Sequence, residues 1–184
     1  MRIVVADQVH LSEFRSSDKP ALVQHLNDRD IYARTLRIPF PYTDADADGW
    51  IALVAKITKQ QGRPVHFAIR SADDALIGGC GFDGFQLGKS HRAEVGYWLA
   101  KAYWGRGIMT SVVQRVCQHA FEDFGLVKIT AHVFSHNPAS ARVLEKRGFA
   151  EEGFLRKHFL KDGRFIDVRL FALLKLGGST CPER

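Results

Sequence analysis

The sequence predicts an α/β domain, a mixed sheet covered by helices on both faces, and three observations predict it. The apolar period changes from helical to alternating at about Val65. Beyond that point, strand-like runs are interrupted by two segments of helical period, so crossover connections enter an otherwise hairpin-linked sheet. The 184 residues are 46% hydrophobic and 25% charged, which suits a single well-packed globular core.

In chain order, Val9 to Phe14 alternates as a first strand. Ser17 or Asp18 is placed to cap a helix with Pro20 in its first turn and Leu22, Val23 and Leu26 on its apolar stripe. A short helix follows from about Asp28 to Leu36, and the prolines of Pro39-Phe40-Pro41 break it. Thr43 or Asp44 caps a further helix carrying Trp50, Ile51, Leu53, Val54 and Ile57. Val65 to Arg70 and Leu76 to Phe85 read as an antiparallel pair, and a third strand runs from His91 to Leu99 after the Gly88-Lys89-Ser90 turn. A long helix spans Gly107 to Phe124, a short strand Lys128 to Phe134, and a compact helix Asn137 to Arg147. Two long strands, Phe149 to Leu160 and Arg164 to Leu174, close the chain around Lys161-Asp162-Gly163-Arg164. The expected order is β-α-α-β-β-β-α-β-α-β-β, with a third early helix as the variant. Residues 1–176 form the expected domain and 177–184 an expected disordered tail.

The net charge of +6 fits either a polyanionic ligand or a well-solvated surface, and the scatter of the basic residues weakens a nucleic-acid reading. Cys80, Cys117 and Cys181 are odd in number and far apart, which argues against a disulfide framework or a zinc site. The histidines His66, His91, His119, His132, His136 and His158 lack metal-ligand spacing, so each reads as structural, with His136 the one to watch. No metal is expected. The apolar run Met1 to Ala6 is too short for a signal peptide and no stretch is long enough to span a membrane, which leads to the expectation of a cytoplasmic protein with no membrane partner.

The chemistry concentrates between Ala93 and Thr110. There a strand ends near Leu99, a Gly-x-Gly turn follows at Gly105-Arg106-Gly107, and a helix starts at once. Glycines allow close backbone approach, and a helix N-terminus offers unpaired N–H donors, so the junction suits a pyrophosphate. A tight strand-to-helix connection explains the same residues. His136-Asn137-Pro138-Ala139-Ser140 opens the later helix and Gly148 stops it; Asn137 serves there either as a cap or as a ligand contact.

Taken together, Ala93 to Thr110, Asn137-Pro138-Ala139-Ser140, Val143 to Phe149, Glu152-Gly153 and Asp162-Gly163 resemble the GNAT superfamily of N-acetyltransferases. The likeness is to the RimJ/RimL-type branch that acetylates ribosomal-protein N-termini, and it covers about Val9 to Leu174. It implies a fold with an acetyl-CoA cleft where two central strands part, and acetyl-CoA as co-substrate. It places the pyrophosphate loop on Trp104, Gly105, Arg106, Gly107, Ile108, Met109 and Thr110, and the pantetheine arm beside Trp98 and Leu99 and near Asn137. It makes Ser140 the proton donor to the departing thiolate. Ala102 stands where the family loop usually begins with Gln or Arg, and Ser111 where this branch commonly has Glu.

Acetyl transfer to an amine requires loss of a proton from the amine, and Glu94 is the candidate base, the only acid between Gly84 and Phe121. Arg92, Glu94, Gly96 and Trp98 share one face of their strand. The alternative is a surface Glu paired with Arg92 or a neighbouring base. Backbone N–H groups near Trp98 or Leu99 would hold the carbonyl oxygen. Ser140 either gives a proton or satisfies its own helix. Phe40, Tyr42, Trp50 and Phe159 are candidate walls of the acceptor pocket. The acceptor is either a protein N-terminus, with ribosome association, or a small amine such as a polyamine, amino acid or antibiotic. A non-catalytic coenzyme A-binding or RNA-associated module is the rival from outside the enzyme class. Monomer and homodimer both stay open.

Overall fold

The computed structural model describes residues 1–6, 8–88 and 90–175, and the tail expected from Gly177 onward, with Cys181, lies outside them. Eight strands form one sheet: β1 (Arg2–Ala6), β2 (Val9–Ser12), β3 (His66–Arg70), β4 (Leu76–Asp83), β5 (Arg92–Leu99), β6 (Lys128–Phe134), β7 (Ala150–Lys161) and β8 (Arg164–Leu174). Five helices accompany them: α1 (Lys19–Leu26), α2 (Arg29–Arg34), α3 (Asp44–Gln61), α4 (Ile108–Asp123) and α5 (Pro138–Glu145). The sheet order is β1-β2-β3-β4-β5-β6-β8-β7, and β5–β6 is its parallel pair.

Two differences from the sequence reading have physical causes. The strand β1 was not anticipated, since it lies at the sheet edge, where only Ile3 of its five residues is buried and no apolar alternation develops. Asp18 sits at the N-cap of α1 but its carboxylate does not cap the helix. The carboxylate instead accepts two bonds from Arg70, at 2.9 and 2.8 Å, deep in the interior. The same guanidinium donates to Ser12 Oγ at 2.6 Å, tying β2 and β3 to the turn before α1.

Other punctuation follows the local rules. Thr43 caps α3 in a reciprocal box with Asp46, and Asp28 caps α2 through the N–H groups of Asp30 and Ile31. Asp162 and Gly163, both at positive φ, turn β7 into β8.

Two cores flank the sheet. On one face α4 buries Met109, Val112, Val113, Val116, Cys117 and Ala120, a 3–4 spacing that packs against Phe67, Phe82 and Ile129. Each of the buried valines contributes about 1.5–3 kcal/mol. The other face is covered by α1–α3 and the loop before α3, through Leu22, Leu26, Ile31, Tyr42 and Ala47 on Ala68 and Leu76.

Candidate active site

The parallel pair at the centre of the sheet is incomplete. β5 and β6 are in register only from Arg92–Lys128 to Glu94–Thr130, although β5 runs on to Leu99 and β6 to Phe134. Past that point the strands separate and open a cleft of about 980 Å³. Every residue singled out from the sequence for catalysis or cofactor binding lines it: Glu94, Trp98, Leu99, Trp104, Gly105, Arg106, Gly107, Ile108, Met109, Thr110, Asn137 and Ser140.

One side of the cleft is built mainly of backbone. Gly105 and Gly107 both have φ of 75°, and a Cβ at either would meet no atom within 4 Å. Gly107 is the N-cap of α4, and no side chain caps the helix, so its first N–H groups face the cleft without a side-chain partner. The Trp104 indole donates to the Leu99 carbonyl at 2.7 Å, which fixes the loop to the end of β5. Met109 packs its side chain into the core, leaving its backbone to the cleft. An uncapped helix end, an open glycine turn and an unpaired strand edge together fit a pyrophosphate followed by an amide-bearing arm. Ala102 is exposed, and its lack of a polar side chain leaves this backbone cradle intact. Ser111 faces a small pocket with Val5, Val9 and Arg106.

The α5 side contributes Asn137 and Ser140. Asn137 Oδ1 accepts from the Ser140 N–H at 3.3 Å, so it is a helix cap, and it also lines the cleft. The Ser140 hydroxyl lies 2.8 Å from the Tyr97 hydroxyl, which also donates to the Ser140 carbonyl at 3.3 Å. Burial pushes the Tyr97 phenol well above its ordinary range, only partly offset by the Ser140 bond, so it stays protonated at any working pH. The sequence reading passed over Tyr97. Strand parity was the available signal, since Tyr97 is one step from Glu94's face and points towards the helix that carries Ser140.

Glu94 lies on the opposite face, towards α1–α3. Its carboxylate is not paired with Arg92, which bonds Gln86 instead. Glu94 Oε1 lies 3.0 Å from Nδ1 of His132 on β6, though at an angle that makes no hydrogen bond, and this buried nitrogen has no partner. The His132 ring stacks on His158 and meets the edge of Phe159. No spacing rule links residues 94 and 132; the parallel register alone brings them together.

Tyr42 and Trp50 line the cleft on the α1–α3 face, whereas Phe40 packs on Tyr32 and Phe159 on the histidine pair. Asp83, in register with Glu94, bonds Arg37 at 2.9 Å and lies 3.4 Å from His66. Burial alone would raise its pKa, but His66 and Arg37 hold it below the usual carboxylate range. His136, the histidine to watch, holds the Ala33 carbonyl at 3.0 Å and so ties the approach to α5 onto α2. Burial pushes the Cys117 thiol up to about 12 and that of Cys80 higher still, leaving neither as a nucleophile. Among the described residues no three His, Cys, Asp or Glu side chains gather as a metal site, and no helix is long and apolar enough to cross a membrane.

The chain matches the family model for the acetyltransferase (GNAT) domain over residues 8–150. It is 30% identical over 177 residues to the uncharacterized N-acetyltransferase p20 of Bacillus licheniformis, covering 95% of this chain and 97% of the relative. It is 27% identical over 128 residues to the ribosomal protein uS5-alanine N-acetyltransferase of Escherichia coli, covering 68% of this chain and 66% of the relative. Among solved structures, the spermidine N-acetyltransferase of Vibrio cholerae in complex with CoA and spermine shares the fold with a TM-score of 0.77. That alignment is 25% identical over 92% of this chain and 96% of the other.

Proposed function

This chain belongs to the GNAT acetyltransferases and uses acetyl-CoA as its acetyl donor, and from that premise we propose that its acceptor is the α-amino group of a protein or peptide N-terminus. The observation that carries this is the state of the acids in the cleft. Asp83 is engaged by Arg37, and Asp46 by the hydroxyl and N–H of Thr43. Glu94 alone of the three lacks a Lys, Arg or hydroxyl partner. A polyamine needs several free carboxylates along its length. A peptide N-terminus needs one, beside apolar walls of the kind that Ile31, Ile38, Trp50 and Leu53 supply.

In this reading acetyl-CoA supplies an activated thioester. Glu94 removes the proton of the incoming ammonium, with His132 alongside to relay it. An α-amine near pKa 8 asks less of that base than a lysine or polyamine amine near 10. Unpaired N–H groups of β5 between Val95 and Leu99 donate to the carbonyl oxygen as the C–N bond forms. The paired hydroxyls of Ser140 and Tyr97 give a proton to sulfur as the C–S bond breaks. Holding both reactants in one slot supplies much of the rate. Ribosomal-protein N-termini are the first acceptors to try, because a relative is named for one.

The test is thiol release from acetyl-CoA with N-terminal peptides, one of them the uS5 sequence, beside spermidine and free amino acids. Peptide-dependent release is expected, with Glu94→Gln lowering kcat by about 10²–10⁴-fold at unchanged acetyl-CoA affinity. Release with spermidine and none with any peptide would overturn the peptide acceptor.

A further inference from the structure

We propose that Gly96 determines acceptor specificity: by carrying no side chain it leaves a cell between Glu94 and Trp98 that takes the substituent on the amine-bearing carbon of the acceptor. The acceptor class is then the α-branched amine, a peptide whose first residue carries a Cβ rather than glycine. The inference rests on the peptide reading above and narrows it.

A glycine inside a strand weakens it, so its presence needs a reason. Backbone conformation is not the reason, for Gly96 is absent from the positions of positive φ and any L-residue can adopt its geometry. Packing is not the reason either, as the two neighbouring glycines on the same sheet face show. A Cβ at Gly79 would meet Trp98 Nε1 at 2.6 Å, and one at Gly81 would run into the His66 ring and meet His66 Cα at 2.8 Å. Those two glycines make room for side chains of the protein itself. A Cβ at Gly96 would meet nothing within 4 Å. The position is exposed, yet it lies in the cleft floor.

Its surroundings define the space. Glu94 and Trp98 stand two residues to either side on the same face, roughly 6.5–7 Å away along the strand. Gly81 is the register partner on β4, and the His66 ring lies over it and closes that side. On the other side β6 has already parted from β5, since their pairing ends at Glu94. The open floor therefore adjoins both the base and the slot. An amine presented to Glu94 puts its α-carbon above Gly96. The interval has room for at least a methyl group, and a methyl fixed on the protein would occupy the same place.

The experiment compares wild type, Gly96→Ala and Gly96→Val on peptides identical except for a first residue of Gly, Ala or Ser. The ratio of kcat/KM for the Ala or Ser peptide to that for the Gly peptide is expected to fall about tenfold or more in Gly96→Ala, and further in Gly96→Val. Melting temperatures should not fall, and acetyl-CoA should still raise them in both variants. An equal loss on all three peptides would place Gly96 in the shared reacting centre and overturn the proposal. So would unchanged ratios, failure of Gly96→Ala to fold, or loss of the acetyl-CoA shift. If wild type acetylates no peptide, the peptide reading fails first and takes this one with it; if peptides react and the ratios stay constant, only this one fails.

Discussion

The two sides of the cleft are made of different material. The side formed by the Gly105–Gly107 turn, the end of β5 and the start of α4 presents backbone, and it is contiguous within about a dozen residues. The acceptor side presents side chains drawn from α2, the 35–42 loop, α3, β3, β4, β5 and β6. Polar contacts across long sequence distances hold it in place. Lys101 bonds Asp30, His136 and Lys161 bond the Ala33 and Thr35 carbonyls, and Tyr32 bonds Asp162. Backbone donors at a helix end recognise a phosphate whatever side chains surround them, so that side can serve any acetyl-CoA enzyme. Specificity for an amine requires particular side chains, and those can change without altering the cradle.

Substitutions can break this contrast at graded cost. The largest effect is expected from Asp18→Ala, which leaves Arg70 charged and buried without its partner. The cost should be about 3–5 kcal/mol, a loss of roughly 6–20 °C in melting temperature by calorimetry. Acetyl-CoA should still raise the lower melting point, because neither Asp18 nor Arg70 lines the cleft. Next come the two hydroxyls proposed as proton donors. Tyr97→Phe and Ser140→Ala should each lower kcat on the order of 10–100-fold, and the double variant little further, if oxygens 2.8 Å apart act as one unit. Multiplicative losses in steady-state kinetics would show that they act separately. Gly107→Ala, at φ 75°, should weaken acetyl-CoA binding by about tenfold through backbone strain of roughly 1–2 kcal/mol, leaving relative rates among acceptors unchanged.

The smallest effect concerns α2. Lys101 first, and then Arg34, hold the Asp30 carboxyl down at about 2 against an ordinary 3.8. A depressed carboxylate stabilises the fold fully above its unfolded pKa and loses that contribution as pH falls from about 4 towards 2. The clasp should therefore survive titration from pH 8 to 5. Amide exchange over α2 should quicken only in stronger acid, or modestly in high salt, which screens exposed pairs.

Legibility followed the same division. The bounds of β6 and β8 matched the reading to the residue, and α4 matched to within one, because each carries a strong apolar period or a turn with glycine at its end. That Glu94, Asn137, Ser140 and the loop residues share one cleft was legible because they sit in compact motifs. Tyr97 was readable only through strand parity, and His132 and Asp83 not at all, since their place beside Glu94 depends on strand register. The edge strand β1 was missed because a strand with one buried residue has no pattern to read.

By itself, then, the sequence determined the elements other than β1, the turn glycines and the helix start that suits a phosphate, since these depend on interactions within a few residues. Only the tertiary structure decided that β5 and β6 part after Glu94, that His132 and Asp83 flank that carboxylate, and that Gly96 stays uncovered while Gly79 and Gly81 are filled. Those relations join residues tens of positions apart. They are fixed by sheet register and by which side chain fills which space, and neither leaves a periodic trace in the chain.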